Sequence, residues 1–490
     1  MTTTTALPTA ARAGKSAAAP TRSEWASTIM DRPPRDGTPA TFVASVPRHA
    51  SAATTPPVRS FGTFVAALPR VFQTVTTDFR RHEYAFALLI VLAIGLVVVP
   101  DLITYLTVEH EPILPPGEAT TSADLPIAQL ASLGGSALLL AVSTAVVFMR
   151  GHPNRDITGV LLLLLAVNLP YLVSPKLPPV VDFPKIILAN VFILALWKVG
   201  APVAWLKWLP MTVAVIAGYS LIGGLLIPEY AMYNPNSEKA IIPGWELAGP
   251  FGHANVLGVY CVLAFALTPL IVDRRWRLLV GSILFVTMVA AASRTALIAA
   301  GLVVLWWVIC WFKSFKSVRL AGTVLVSVTA TAMFVFPFVH WDPRAFTGRA
   351  LVWAESVGVW QQSPVVGMGV NWFLDDAQAM GNVAKWAFVG TGHNVVVDTL
   401  VRSGLLGIVV LLPLFVAAVA ATWALPVTSQ QVACFGFLMA FFLGATTEAS
   451  WALLPNLQLF PISGLVFAVL IVNRYDDPTV EGPSWQLKER

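Results

Sequence analysis

From residue 84 onward the chain alternates long apolar runs with short polar breaks. The runs fall at about 84–106, 127–149, 156–173, 184–200, 208–227, 254–272, 278–292, 295–312, 318–338, 395–424, 431–449 and 455–473. A helix needs about 20 apolar residues to cross the hydrocarbon core of a bilayer. The pattern therefore predicts an all-α polytopic membrane protein with about twelve transmembrane helices. The seventh and eighth runs are parted only by Ser293-Arg294-Thr295. An arginine at mid-bilayer is costly, so a break there is the economical reading.

Residues 1–83 follow another pattern, rich in Ala, Thr, Pro, Ser and Arg with no long apolar run. Such composition buries too little apolar surface to offset chain entropy, so disorder is expected through about residue 60. No apolar h-region marks a cleaved signal peptide. Phe64, Val65, Leu68, Val71, Phe72 and Val75 recur at helical spacing, which fits a short helix on the membrane surface; Pro69 interrupts it, and an ordinary linker fits equally well. The expected organisation is a cytoplasmic tail (1–83), a membrane domain (84–473) with a large outer loop (339–394), and a C-terminal tail (474–490).

Composition agrees. Hydrophobic residues make up 56% of the chain and charged residues 12%, with a mean hydropathy of +0.73; soluble domains carry about 25% charged residues. A net charge of +5 gives no reason to expect a nucleic-acid partner. Cys261, Cys310 and Cys434 fall inside apolar runs without metal-ligand spacing and read as small core residues. Lys and Arg concentrate in alternate short loops, around residues 150–155, 198–207, 274–277 and 313–319. By the positive-inside rule those loops and both termini face the cytoplasm, and the loops near 228–253 and 339–394 lie outside, against the membrane surface.

That topology gathers four polar stretches at the outer face: GPFGHANVLG (249–258), SRTA (293–296), TGRALVW (347–353) and GTGHNVVVDTLVRSGLLG (390–407). Arg294 and Arg349 are permanent cations whose guanidinium forks suit phosphate oxygens; pairing with a nearby carboxylate or snorkelling to headgroups is the plainer reading of either alone. His393 is the candidate for proton chemistry, since an unperturbed imidazole titrates near about 6.5, although a lone histidine at a helix start is more often a cap. His253 and Asn255 form a second polar entry, Asn394 adjoins His393, and Trp353 follows Arg349. Glu448 and Thr447 close the outer end of the eleventh run. Asp398 and Arg402 are spaced i, i+4 and are expected to neutralise each other. Gly404 and Gly407 are expected to let another helix approach closely.

The His393-Asn394 pair, nine further residues, and Gly404-Leu405-Leu406-Gly407 resemble the signature of the O-antigen ligase and polymerase superfamily. The three upstream stretches, with SPVVGMGVNWF at 363–373, occur in the order that family shows. The resemblance implies an all-helical, GT-C-like membrane glycosyltransferase in a bacterial plasma membrane. It would act on a polyprenyl-diphosphate-linked glycan donor, with a glycan, lipid or protein as acceptor. It also implies that His393 occupies the catalytic histidine's place and that Arg294 and Arg349 hold the diphosphate; from their place on the same face, His253, Asn255, Asn394, Trp353 and Glu448 are further substrate-binding candidates. The arginines would supply the positive charge that a divalent ion gives other enzymes, so no metal or other cofactor is expected. Rival acidic groups, Glu109-His110-Glu111 and Asp375-Asp376, read as solvated loops. A transporter for the same lipid-linked glycan is the alternative from another class; it calls for charges and broken helices deep in the membrane.

Overall fold

The computed structural model describes residues 61–107, 125–149, 157–174, 183–233, 241, 246–312, 315–375, 390–426, 428–449 and 461–472. The acidic Glu109-His110-Glu111, Asp376, most of the N-terminal tail and the C-terminal tail lie outside the described residues. The described residues from 67 onward form one compact unit. The helices of the chain are α1 (Phe61–Thr107), α2 (Pro126–Val147), α3 (Ile157–Leu172), α4 (Phe183–Val199), α5 (Trp208–Leu226), α6 (Pro228–Ala231), α7 (Ala254–Ala266) and α8 (Arg274–Ala290). They continue with α9 (Arg294–Phe312), α10 (Phe315–Val335), α11 (Arg349–Trp360), α12 (Trp372–Asp375), α13 (Val395–Ala424), α14 (Ser429–Gly444) and α15 (Gly464–Val472). A two-residue antiparallel ladder, β1 (Met232–Tyr233) with β2 (Glu246–Leu247), is the exception to an otherwise all-helical fold among the described residues.

Every apolar run of the sequence carries a helix. Among the described residues, six segments are long and apolar enough to cross a membrane: Arg81–Thr107, Pro126–Val147, Val203–Leu226, Arg294–Phe312, Ser317–Phe338 and Val395–Ala424. Ile157–Leu172, Ala254–Ala266 and Ser429–Gly444 are shorter apolar helices. The outward faces of the longer helices carry large exposed hydrophobics such as Leu133, Val215, Ile298, Val328 and Val409. In a membrane such faces meet lipid, and the helix satisfies its own backbone there.

α14 lies at the centre, packed by α7, α9, α10 and α13, and its Phe435, Phe437, Met439, Phe441 and Phe442 are buried. Trp306 of α9 donates to the carbonyl of Val432 at 2.9 Å. Phe415, Phe441 and Phe467 join α13, α14 and α15 through ring contacts of 4.8 to 5.7 Å. Asn168 and Asn190 exchange side-chain hydrogen bonds of 2.7 and 3.0 Å between α3 and α4, so neither amide is left unmet in an apolar bundle.

Three features differ from the sequence expectation. α1 runs unbroken through Pro69, from inside the segment assigned to the tail. The stretch 339–394 is not all loop: it contains α11, whose Ala350, Val352 and Trp353 join Trp372, Phe373, Val397 and Val401 in a second small core. Finally, α13 is broken at Gly404 (φ 61°, ψ −156°), and what approaches there is a loop rather than a helix. A Cβ at Gly404 would lie 2.3 Å from the carbonyl oxygen of Val365. The N–H groups of Leu405 and Leu406, released by the break, donate to Pro364 and Val365 at 2.9 and 3.1 Å, and Met368 N–H takes the freed carbonyl of Val401 at 2.6 Å. The loop backbone thus replaces the hydrogen bonds that the helix gives up.

Candidate active site

α1, α10 and α14 end, and α7, α9, α11 and α13 begin, at one end of the bundle, and close contacts bring their termini together. A Cβ on Gly258 of α7 would lie 2.5 Å from that of Ser293, so only glycine lets α7 and the start of α9 approach this closely. Gly252 meets the Tyr105 hydroxyl of α1 in the same way, at 2.4 Å. The Thr295 and Thr447 hydroxyls share a hydrogen bond of 2.8 Å between α9 and the end of α14.

Asn394 locks the start of α13. Its Oδ1 accepts from the N–H groups of Val396 and Val397 at 2.8 and 3.1 Å, a helix cap. Its Nδ2 donates to the carbonyls of Met333 and Thr446 at 3.0 and 3.1 Å. With the side chain buried and both ends of the amide engaged, Asn394 fixes where His393 sits. Asp398 adds a second tie: its Oδ1 accepts from Gly392 N–H at 3.0 Å, while its Oδ2 pairs with Arg402 Nε at 2.9 Å. Arg402 also donates to the Val370 carbonyl and lies over the Phe373 ring at 5.0 Å. The pair is buried and mutually neutralised, as its spacing predicts.

The backbone itself is strained at these stretches. Among the described residues, the non-glycine residues with left-handed φ are Ala292, Phe346, Thr347 and His393. Ala292 stands two residues before Arg294, Phe346 and Thr347 lead into Gly348 and Arg349, and the last is His393 itself. Each such residue costs about 1–2 kcal/mol and persists only where its surroundings hold it, a condition typical of functional sites.

Glu448 occupies the middle of the cluster, in the turn just past α14. Its Oε1 accepts from the Arg349 guanidinium and from Asn255 Nδ2, the latter at 3.1 Å. Its Oε2 stands 3.9 Å from His393 Nδ1, beyond hydrogen-bond length but close enough for attraction to an imidazolium. His253 caps α7, with Nδ1 accepting from Asn255 N–H at 3.0 Å. Burial alone would raise the Glu448 carboxyl's pKa; Arg349, then His393 and His253, outweigh it and hold the group below its ordinary value of 4.5. The Arg349, His393 and Glu448 side chains are 15 to 17% exposed, half-sheltered but open to a ligand.

The structure therefore brings His253, Asn255, Arg349, His393 and Glu448 together. Arg294 is the first residue of α9, exposed, between Ser293 against Gly258 and Thr295 bonded to Thr447. Trp353 is buried, with its ring 5.3 Å from that of Phe346, next to the left-handed turn before Arg349. Sequence reading undervalued Glu448, which it placed inside a run that the helix leaves at Gly444. The polar Thr446-Thr447-Glu448 after an unbroken apolar stretch was the available signal. Sequence reading singles out SPVVGMGVNWF (363–373) as a motif but does not show that the turn at 364–368 inserts at Gly404, where a Cβ on Gly367 would lie 2.7 Å from Gly404 N.

Residues 278–412 match the family model of O-antigen ligase, from α8 to the middle of α13. The matched segment contains Arg294, Arg349, Trp353, His393 and Asn394, while His253, Asn255 and Glu448 lie outside it. No curated protein matches the chain. The match supports membership of the O-antigen ligase superfamily, to which the motifs pointed.

Proposed function

We propose that this membrane protein transfers or polymerises glycan from a polyprenyl-diphosphate-linked donor onto an acceptor hydroxyl at the extracytoplasmic membrane face. The observation that carries the reading is the meeting of His393, Arg349 and Glu448 at one end of the bundle, beside the start of α9 that bears Arg294. The O-antigen ligase match supports glycan transfer as the reaction type. The arrangement fits twelve crossings with both termini cytoplasmic. Lys207, in an ion pair of 2.7 Å with Glu83, directly precedes α5, and the Arg274–Arg277 cluster opens α8; both stand at helix ends alternate in sequence to those of the site, as the positive-inside rule asks of the inner face.

In this reading His393 takes the acceptor's proton as its oxygen attacks the anomeric carbon. The bond from that carbon to the diphosphate breaks with its electron pair, and Arg349 and Arg294 meet the charge that develops. Fixed cations in a water-poor site stabilise such charge effectively. Displacement in one step inverts the anomeric centre, and these two arginines make a metal ion unnecessary. An apolar groove of about 380 Å³ between α10 and α13, with Phe334, Phe415 and Trp423 in its walls, offers a place for the lipid tail; Phe334 adjoins Met333, whose carbonyl holds Asn394.

A protein in place of a glycan or lipid acceptor needs the same donor chemistry. Transport of the lipid-linked glycan draws on two real features, a broken helix and a buried ion pair, but here the break is closed by protein backbone and the pair is internally satisfied. Both features therefore serve the site's geometry better than a moving substrate path.

A deletion strain tests the proposal. It should lose one surface glycan and accumulate the lipid-linked precursor, with rescue by the wild-type gene and not by His393→Ala. Loss of the lipid-linked precursor from the outer leaflet instead would favour transport.

A further inference from the structure

We infer that Glu448 is a positioning residue for transfer: its carboxylate fixes the Arg349 guanidinium and keeps the His393 imidazole turned with Nδ1 inward, leaving Nε2 to face the acceptor. This rests on the proposed function and extends it to a residue 36 positions beyond the matched family segment. The two oxygens divide the work, Oε1 receiving Arg349 and Asn255 and Oε2 facing His393 Nδ1. The carboxylate has little freedom to do otherwise. Its own N–H is bonded to the Gly444 carbonyl at 3.0 Å, the Thr446 carbonyl accepts from Asn394, and the Thr447 hydroxyl is held by Thr295.

A carboxylate here does what an amide would not. When Nε2 accepts the acceptor's proton, the imidazole becomes a cation with a proton on each nitrogen. Glu448 Oε2 accepts the hydrogen bond from Nδ1–H, a contact that shortens from 3.9 Å as the charge appears. The charged and titratable groups facing Glu448 are Arg349 at the start of α11, His393 before α13 and His253 before α7. Arg349 is held through one terminal nitrogen, which leaves the other end of its fork for an anionic ligand.

The test compares wild-type, Glu448→Gln, Glu448→Asp and His393→Ala full-length protein in nanodiscs, with the lipid-linked glycan extracted from the deletion strain as donor. Glu448→Gln should lower kcat about 10–100-fold, by analogy with the loss of a partner that orients a metal-bound histidine. Its donor KM should change little, and the acid limb of its pH–rate profile should move to lower pH. Glu448→Asp should keep the wild-type acid limb at reduced kcat. Wild-type kcat and acid limb in Glu448→Gln, or a rise in KM alone, overturn the inference. Histidine 15N spectra give a readout free of activity: the signals that vanish in His393→Ala should show the proton on Nδ1 in wild type and lose that preference in Glu448→Gln. An unchanged tautomer there also overturns it. Near wild-type turnover by His393→Ala would instead sink the proposed function, so the two failures are distinct.

Discussion

The Arg349 guanidinium donates to the Glu448 carboxylate across 99 residues of chain, joining the start of α11 to the turn after α14. Removing one partner leaves the other half-buried and unmatched, which costs more than the pair itself contributes. Arg349→Ala and Glu448→Ala should each lower the melting temperature in detergent. The double variant should be less unstable than the two losses added, by a coupling of about 1–3 kcal/mol. Additive losses would mean that the two side chains do not depend on each other.

Acid should expose the same pair. Glu448 carries a folded-state pKa below its ordinary 4.5. A group depressed in this way contributes stability that is fully present above its unfolded value and is lost as pH falls through the folded one. Wild-type protein should therefore lose melting temperature below about pH 4.5 more steeply than Glu448→Gln. Parallel curves for the two proteins would contradict the assignment.

The break in α13 predicts an unequal response of two helix glycines. Gly404→Ala puts a Cβ 2.3 Å from the Val365 oxygen at a left-handed φ. Backbone strain of about 1–2 kcal/mol and overpacking of about 1–3 kcal/mol add there, so the variant should melt well below wild type and lose transfer. Gly301→Ala in α9 meets nothing within 4 Å and should be neutral or slightly stabilising. Melting curves of the two variants check this directly.

The approach of α7 to α9 offers a compensation test. Gly258→Ala collides with Ser293, the residue before Arg294, and should reduce both stability and transfer. Ser293→Gly removes the colliding Cβ and should restore much of the loss in the double variant. No recovery would mean that Gly258 matters for another reason.

The long helices were legible because lipid imposes one rule on every residue of a span, and apolar length reports it directly; their ends were less so, since α1 begins at Phe61 and α14 ends at Gly444. The site was legible where its chemistry is local in sequence: Asp398 and Arg402 one turn apart, and His393-Asn394 at a helix start. Glu448 was underread because its partners come from α11, the start of α7 and the segment before α13, and nothing near position 448 announces them. Gly404 was misread for a related reason. A glycine that admits a helix and one that admits a loop look alike until the carbonyl of Val365 is seen against it.

The central claim is that His393 removes the acceptor's proton beside an arginine-held diphosphate. Its most direct measurement is the single-turnover rate of glycan transfer by purified wild-type and His393→Ala protein in nanodiscs, with EDTA present and donor binding measured in parallel. The account predicts turnover by wild type in EDTA, a loss of about 10²–10⁴-fold in the variant, and donor binding retained. Transfer by His393→Ala near the wild-type rate, or abolition of wild-type turnover by EDTA, would contradict it.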